Sequence, residues 1–183
     1  MLFRSETKSF LKTLITMNRP MNILEVGTAG GFSALVMSEY APAGCKITTI
    51  ENYDKRIPIA RENFKRAGKE SDITLLEGDA LEVMKGLAGP YDFVFMDAAK
   101  GQYLNFLPRV LELLQPEGIL ISDNVLQDGD IIESRFAVTR RNRTIHKRMR
   151  EYLYTLTHSE ELTTAVLPVG DGITISTKKG RKA

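Results

Sequence analysis

The sequence is poor in the residues that build disulfides and soft-metal sites. It has one cysteine, Cys45, two histidines, His146 and His158, and no tryptophan in 183 residues. One cysteine cannot pair within the chain, and these three residues are too few for a Cys/His metal cluster. A disulfide scaffold and a zinc-ribbon protein are therefore excluded, and a reducing compartment is expected. Long apolar runs are missing too. None approaches the ~18 residues of a membrane-spanning helix, and the start Met1-Leu2-Phe3-Arg4-Ser5 lacks the apolar core and cleavage site of a signal peptide. The expectation is a soluble, cytoplasmic chain with no membrane partner. The third absence is an excess of one charge. With 25 Lys and Arg against 23 Asp and Glu, the net charge is only +2, which on its face argues against a strongly basic nucleic-acid binder.

That sum hides a separation along the chain. Residues 134–183 hold 11 basic and 4 acidic side chains, a balance of +7, so residues 1–133 carry −5. The last quarter is a basic module on an acidic body. At 43% hydrophobic residues the length suits one compact domain over 1–183.

Short apolar runs alternate with amphipathic stretches, the pattern of an α/β sheet with helices on its faces. Helices are expected at Thr7–Met17, Phe32–Tyr40, Asp54–Ala67, Leu81–Leu87 and Tyr103–Leu114. Strands are expected at Asn22–Val26, Lys46–Glu51, Ile73–Leu76, Tyr91–Met96 and Gly118–Ser122. Beyond Glu133 the pattern changes to one long basic helix, Thr139–Leu156, and two β-rich runs, Leu162–Val169 and Gly172–Thr177, joined at Gly170-Asp171. The predicted fold is a doubly wound, mostly parallel seven-stranded sheet with a C-terminal antiparallel hairpin. Ligands of such sheets sit beyond the carboxyl ends of the strands, at the point where strand order reverses.

The first strand runs into Glu25-Val26-Gly27-Thr28-Ala29-Gly30-Gly31-Phe32-Ser33. Glycines there let the backbone approach a ligand and leave helix N-terminal amides for an anionic group. The spacing G-x-x-G-G departs from the G-x-G-x-x-G of dinucleotide sites, and Glu25 suits an ammonium group, which a pyrophosphate cofactor lacks. Glu51 ends the second strand, twenty residues after Gly31, where a carboxylate can accept both hydroxyls of a ribose. Asp79, in Glu77-Gly78-Asp79-Ala80, follows the third strand, where an adenine edge would lie. Singly, each acid reads equally well as a helix N-cap or a solvated side chain. Three acids after three successive strands describe a site for adenosine plus an amino acid, which is S-adenosyl-L-methionine.

The fourth strand ends in Asp97-Ala98-Ala99-Lys100 and the fifth in Asp123-Asn124. Two carboxylates and an amide oxygen at neighbouring strand ends form an all-oxygen site for a hard cation, Mg²⁺ before Mn²⁺. The competing reading of Asp123-Asn124 is a turn pair. Lys100 lies one short turn from Asp97, so its amine can reach the same pocket and favour a deprotonated substrate oxygen or take the proton.

These motifs, in this order, resemble the metal-dependent O-methyltransferases of the catechol and caffeoyl-CoA type, from about Arg19 to the C-terminal hairpin. The resemblance implies the Rossmann-like class I methyltransferase fold and a homodimer. It implies a metal site of Asp97, Asp123 and Asn124, with Lys100 and Asp97 as the catalytic pair. The implied cofactor site comprises Glu25, Gly27, Gly31, Ser33, Glu51, Asp79, Ala80 and Asp97, with Ser33 near the cofactor's carboxylate. Members of the group usually carry a few tens of residues ahead of this starting point, a segment that helps cover cofactor and substrate. Gly30-Gly31-Phe32 stands where relatives usually have a branched apolar residue, glycine and an aromatic.

Within the group, Arg140-Arg141-Asn142-Arg143-Thr144-Ile145-His146 and Pro168-Val169-Gly170-Asp171-Gly172 most resemble the bacterial tRNA 5-hydroxyuridine methyltransferases, which make wobble-position 5-methoxyuridine. That resemblance implies a tRNA anticodon-loop partner, met by Arg140, Arg141, Arg143 and Lys147. Arg140, Arg141, Arg143, Lys147, Arg148 and Arg150 crowd eleven residues, with Glu151 the one obvious local partner. Such clusters supply the phosphate term of nucleic-acid binding, although a charge run is commonly a solvated helix face. Phe136 and Tyr103 are the candidates for stacking a loop base. The expected activity is Mg²⁺-dependent methylation of 5-hydroxyuridine. The alternatives are a small-molecule catechol or hydroxycinnamate O-methyltransferase, and a non-catalytic protein that binds the cofactor or RNA.

Overall fold

The computed structural model of the chain describes residues 5–126, 129, 131, 139 and 143–180. Its strands are β1 (Asn22–Val26), β2 (Lys46–Glu51), β3 (Ile73–Glu77), β4 (Tyr91–Met96), β5 (Leu114–Asp123), β6 (Leu162–Leu167) and β7 (Ile173–Lys178). They form one sheet in the order β3-β2-β1-β4-β5-β7-β6. The pairs from β3 through β5 are parallel, and β7 is antiparallel to both β5 and β6. The doubly wound sheet with a reversed edge is thus as the sequence predicts. Strand order reverses between β1 and β4.

The helices are α1 (Ser5–Asn18), α2 (Phe32–Tyr40), α3 (Ile57–Arg66), α4 (Ala80–Lys85), α5 (Tyr103–Leu113) and α6 (Arg143–His158). Their apolar stripes cover both sheet faces, and side chains alternate between the two faces along each strand. Leu24, Val26, Val94 and Met96 meet Met84, Phe106, Val110, Met149 and Tyr152 of α4, α5 and α6. Ile23, Ile47, Phe93 and Phe95 pack in the opposite core with Leu11, Ile15, Ala34, Met37 and Phe64 of α1, α2 and α3. With both faces covered, β1 and β4 must be nearly all apolar, as parallel strands in such layers are. Asn22 and Asp92 are polar but only half-buried, and Glu25 is the fully buried exception, an acid on a covered face.

Several boundaries differ from the sequence reading. Three turn residues, Asp54 to Arg56, precede α3, which starts at Ile57 with Pro58 in its first turn. Proline fits there because first-turn amides have no intrahelical partner. β5 begins at Leu114 rather than Gly118, since the polar Gln115-Pro116-Glu117 reads as a loop yet lies inside the strand, at a register shift against β4 between Leu114 and Ile119. The hairpin turn is longer than Gly170-Asp171, because β6 stops at Leu167. α6 starts at Arg143, with Thr139 outside it. Arg140, Arg141 and Phe136 lie outside the described residues. Cys45 is buried, and burial pushes its thiol up to about 11, so it serves packing. No helix of the described residues is long and apolar enough to cross a membrane.

Candidate active site

Register puts the acids in one row across the carboxyl edge of the sheet. Val26 pairs with Ile50 and Met96, and Met96 with Ser122. One residue further along each strand, Glu51, Gly27, Asp97 and Asp123 therefore stand side by side. The row crosses the β1/β4 reversal, where ligands of this fold class bind.

The glycine turn is fixed by backbone approach. Gly27 has φ +105°, and a Cβ there would lie 2.2 Å from the Asp97 carbonyl oxygen. Its amide and that of Thr28 both donate to Ile50 O at 3.1 Å, while the Asp97 amide donates to Val26 O at 3.0 Å. Gly31 precedes α2 with φ +82°, and a Cβ on it would meet the Phe64 ring at 2.5 Å. Both positions exclude a side chain twice over, by conformation and by space. Gly27 thus brings the first loop against the end of β4, and Gly31 seats the helix on α3.

Glu51 is nearly buried and locked by backbone amides. Its Oε2 accepts from Ala29 N at 2.8 Å, and its Oε1 from Asn52 N at 3.0 Å and Tyr53 N at 2.9 Å. An ionised carboxylate offers about four acceptor positions, so capacity remains for a ligand hydroxyl. Glu25 is held differently. It has no solvent exposure, its Oε1 accepts from Ser33 Oγ, and its Oε2 accepts from Thr49 Oγ1, which lies 2.6 Å from Thr28 Oγ1. Burial is the main force that pushes its carboxyl up to about 7, against the two hydroxyls and with help from Asp97 and Glu51. Both of its oxygens are thus engaged by hydroxyls within the protein. Asp79 is exposed and caps α4, its Oδ1 accepting from Leu81 N at 3.0 Å and Glu82 N at 3.2 Å. The N-cap alternative is what the structure realises, with half-buried Ala80 beginning the helix behind it.

On the other side of the reversal the acids crowd one another. Asp97 Oδ1 accepts from Lys100 Nζ at 2.8 Å and from Asn124 Nδ2 at 3.0 Å. Asp123 Oδ1 accepts from Asn124 N at 2.7 Å, and Asn124 sits at φ 56°, a left-handed conformation that Asn tolerates. Burial and then repulsion from Asp97 push the Asp123 carboxyl up to about 6, although the Asn124 amide and Lys100 pull it down. Lys100 Nζ also donates to Tyr103 Oη at 2.8 Å and to Asp123 O at 3.1 Å. No group of three or more His, Cys, Asp and Glu side chains suited to a metal occurs among the described residues, so a three-ligand set here includes the Asn124 amide. The donors fit a hard divalent cation: all are oxygens, and two carboxylates face a single lysine charge.

A family model described as O-methyltransferase matches residues 1–179. The chain belongs to the O-methyltransferase family. Among its relatives, a catechol O-methyltransferase of Niastella koreensis is 33% identical over 128 residues, 68% of this chain and 58% of that protein. A caffeoyl-CoA O-methyltransferase of Medicago sativa is 32% identical over 177 residues, 91% of this chain and 70% of that protein. A Staphylococcus aureus structure, provisionally described as a caffeoyl-CoA O-methyltransferase, superposes with TM-score 0.91 at 33% identity, over 97% of this chain and 85% of that one. A Bacillus cereus O-methyltransferase solved in complex with SAH superposes with TM-score 0.87 at 25% identity, over 97% of this chain and 83% of that one.

In this family member the structure also revises the readings of Tyr103 and of the basic helix. Tyr103 has no solvent exposure, so it cannot stack a loop base. Its hydroxyl instead touches Lys100, Met96 O and Asp123 O. Sequence reasoning missed that role because an aromatic at helical spacing reads as core; the signal was its place three residues after Lys100. The basic helix is more engaged than its neighbours in sequence suggest. Arg148 donates to Gly101 O at 3.0 Å, Arg150 to Ile131 O at 3.2 Å, and Lys147 lies 3.6 Å from Glu151.

Proposed function

We propose that the chain transfers a methyl group from S-adenosyl-L-methionine to a hydroxyl that has a second oxygen beside it, in a divalent-metal-dependent reaction on a small catechol- or hydroxycinnamate-like acceptor. The observation that carries this reading is the carboxylate pair Asp97 and Asp123, on adjacent parallel strands, standing beside a glycine turn whose neighbour Glu51 is already oriented. The catechol and caffeoyl-CoA relatives support the small acceptor, and the SAH-bound relative supports the cofactor, since SAH is the product left when S-adenosylmethionine gives up its methyl.

S-adenosylmethionine, when bound, supplies an electrophilic methyl on a sulfonium. Glu51 would hold its ribose hydroxyls, Ser33 and the amides of the glycine turn its amino-acid end, and the start of α4 its adenine. Asp97, Asp123 and Asn124 would hold Mg²⁺, whose charge favours the ionised form of a nearby hydroxyl. The ammonium of Lys100, already held by internal acceptors, would stabilise the attacking oxygen through its charge or, once deprotonated, receive its proton. The residues' share is positioning and charge, with Gly27 keeping the cofactor loop against the acceptor side.

The second reading, methylation of tRNA 5-hydroxyuridine, rests on the +7 balance of residues 134–183. Arg148 and Arg150 each give one donor to a main-chain carbonyl and stay exposed, so the preference for the small acceptor rests on the catechol and caffeoyl-CoA relatives. The test is labelled methyl transfer in parallel to a simple catechol, a hydroxycinnamoyl thioester and undermodified tRNA, with Mg²⁺ or with chelator. Labelling of a small acceptor that chelator abolishes supports the first reading. Labelling of tRNA alone replaces it with the second, and cofactor binding without transfer to any acceptor rejects both.

A further inference from the structure

Lys100 is held with all three of its ammonium protons directed at acceptors, and the acceptors come from three places. One is the carboxylate of Asp97 at 2.8 Å, one the hydroxyl of Tyr103 at 2.8 Å, and one the main-chain oxygen of Asp123 at 3.1 Å. An ammonium has three donors and no acceptor, so this arrangement uses its full capacity and fixes its direction.

Tyr103 is the part of the cradle with no other evident task. Its ring is completely buried and meets Tyr152 edge-on at 5.4 Å between centroids. Its hydroxyl lies 3.1 Å from Met96 O and 3.0 Å from Asp123 O, the carbonyls at the ends of β4 and β5. A phenol has one proton, so it donates to one carbonyl at a time and keeps its lone pairs for the lysine. The oxygen therefore bridges the two strand ends that carry Asp97 and Asp123, and accepts the ammonium between them. Burial raises the phenol's pKa well above its ordinary value, which keeps it a neutral hydroxyl.

We propose that Tyr103 is a positioning residue: its hydroxyl sets the direction of the Lys100 ammonium and, through the bridge between β4 and β5, the spacing of Asp97 and Asp123. The proposal rests on the methyltransferase reading only for its consequence in turnover. The cradle itself is testable without activity.

The informative substitution is Tyr103→Phe, which keeps the ring and its packing on Tyr152 and removes one oxygen. In the protein labelled with ¹⁵N at lysine, the Lys100 ammonium should give an observable, slowly exchanging signal near neutral pH, assigned by its loss in Lys100→Met. Exposed lysine ammonium signals are lost to fast exchange with water. Tyr103→Phe should lose or strongly broaden that signal while the circular dichroism spectrum stays that of the parent. Persistence of an unchanged signal in Tyr103→Phe, or its absence from the parent protein, overturns the proposal whether or not the chain is active.

Where turnover is measurable, Tyr103→Phe should lower kcat about 10- to 100-fold with acceptor KM within about threefold. In the Lys100→Met background the same change should cost less than about threefold, because interacting residues fail to add. Equal losses in both backgrounds would make Tyr103 a merely structural residue. Absence of turnover in the parent protein, with the slow ammonium signal present and lost in Tyr103→Phe, would reject the catalytic reading and leave the cradle standing.

Discussion

The two halves of the carboxyl edge hold their acids by opposite means. On the β1/β2 side, Glu51 is ringed by main-chain amides and Glu25 by hydroxyls, all neutral donors with fixed positions. On the β4/β5 side, Asp97 and Asp123 repel each other, and one lysine offsets part of their charge. The first half is complete in geometry and needs a ligand of matching shape. The second leaves its two carboxylates with a single lysine charge. The same fold thus prepares one pocket by hydrogen bonding and the other by a deficit of positive charge.

The most damaging substitution tests the charge deficit. Asp123→Ala should lower methyl transfer on the order of 10³-fold or more, since charge stabilisation by a held cation amounts to several kcal/mol. Cofactor affinity measured by calorimetry should stay within about threefold. An equal loss of cofactor affinity would break the division between the halves. Gly27→Ala strikes both at once, because the new Cβ would lie 2.2 Å from the Asp97 carbonyl oxygen at φ +105°. Denaturant titration should show a loss of about 3 kcal/mol or more, with weaker binding of cofactor and of divalent ion. A fully stable variant would mean that the two loops are not in contact.

Glu25 gives the neutral half a pH signature. Its carboxyl titrates at about 7 in the folded chain, against 4.5 for an ordinary exposed glutamate. Between those values the folded chain binds more protons than the unfolded one, so stability falls as pH rises through this window, by about 3 kcal/mol in total. Glu25→Gln should flatten that part of the stability profile. The slope that remains belongs to Asp123, raised from 3.8 to about 6 and acting in the same direction. An unchanged profile in Glu25→Gln would remove Glu25 as its source.

Glu51→Gln should weaken cofactor binding about tenfold, in line with a charge-assisted hydrogen bond, and leave the divalent-ion requirement unaltered. The mildest change concerns the basic helix. Lys147→Ala should leave turnover of a small acceptor within about twofold, as its exposed pair with Glu151 contributes under about 1 kcal/mol. A larger loss confined to tRNA methylation would restore the nucleic-acid reading.

The sequence makes the strands nearest the site legible. β1, β2 and β4 carry the predicted bounds, because each is a short stretch rich in apolar and β-branched residues that runs into a glycine or an acid. β5 is less legible: Gln115-Pro116-Glu117 has turn composition and falls at the irregularity between the Leu114–Tyr91 and Ile119–Phe93 pairs, inside the strand. The site residues visible in sequence are those whose type is chemical, the acids and the lysine. What stays hidden are partners without a chemical label, such as the carbonyls of Gly101 and Ile131 that receive Arg148 and Arg150. A carbonyl looks the same at every position until the fold places it. Asp79 is visible but ambiguous, and only its bonds to Leu81 and Glu82 show the cap.

The contact between Gly27 and the Asp97 backbone bears on how such a scaffold is re-engineered. Donor and acceptor pockets are spaced there by main chain against main chain, with no side chain in between. Side-chain exchange elsewhere on the carboxyl edge therefore leaves this main-chain spacing unchanged. A library aimed at new acceptors should spare that one glycine and randomise the rim.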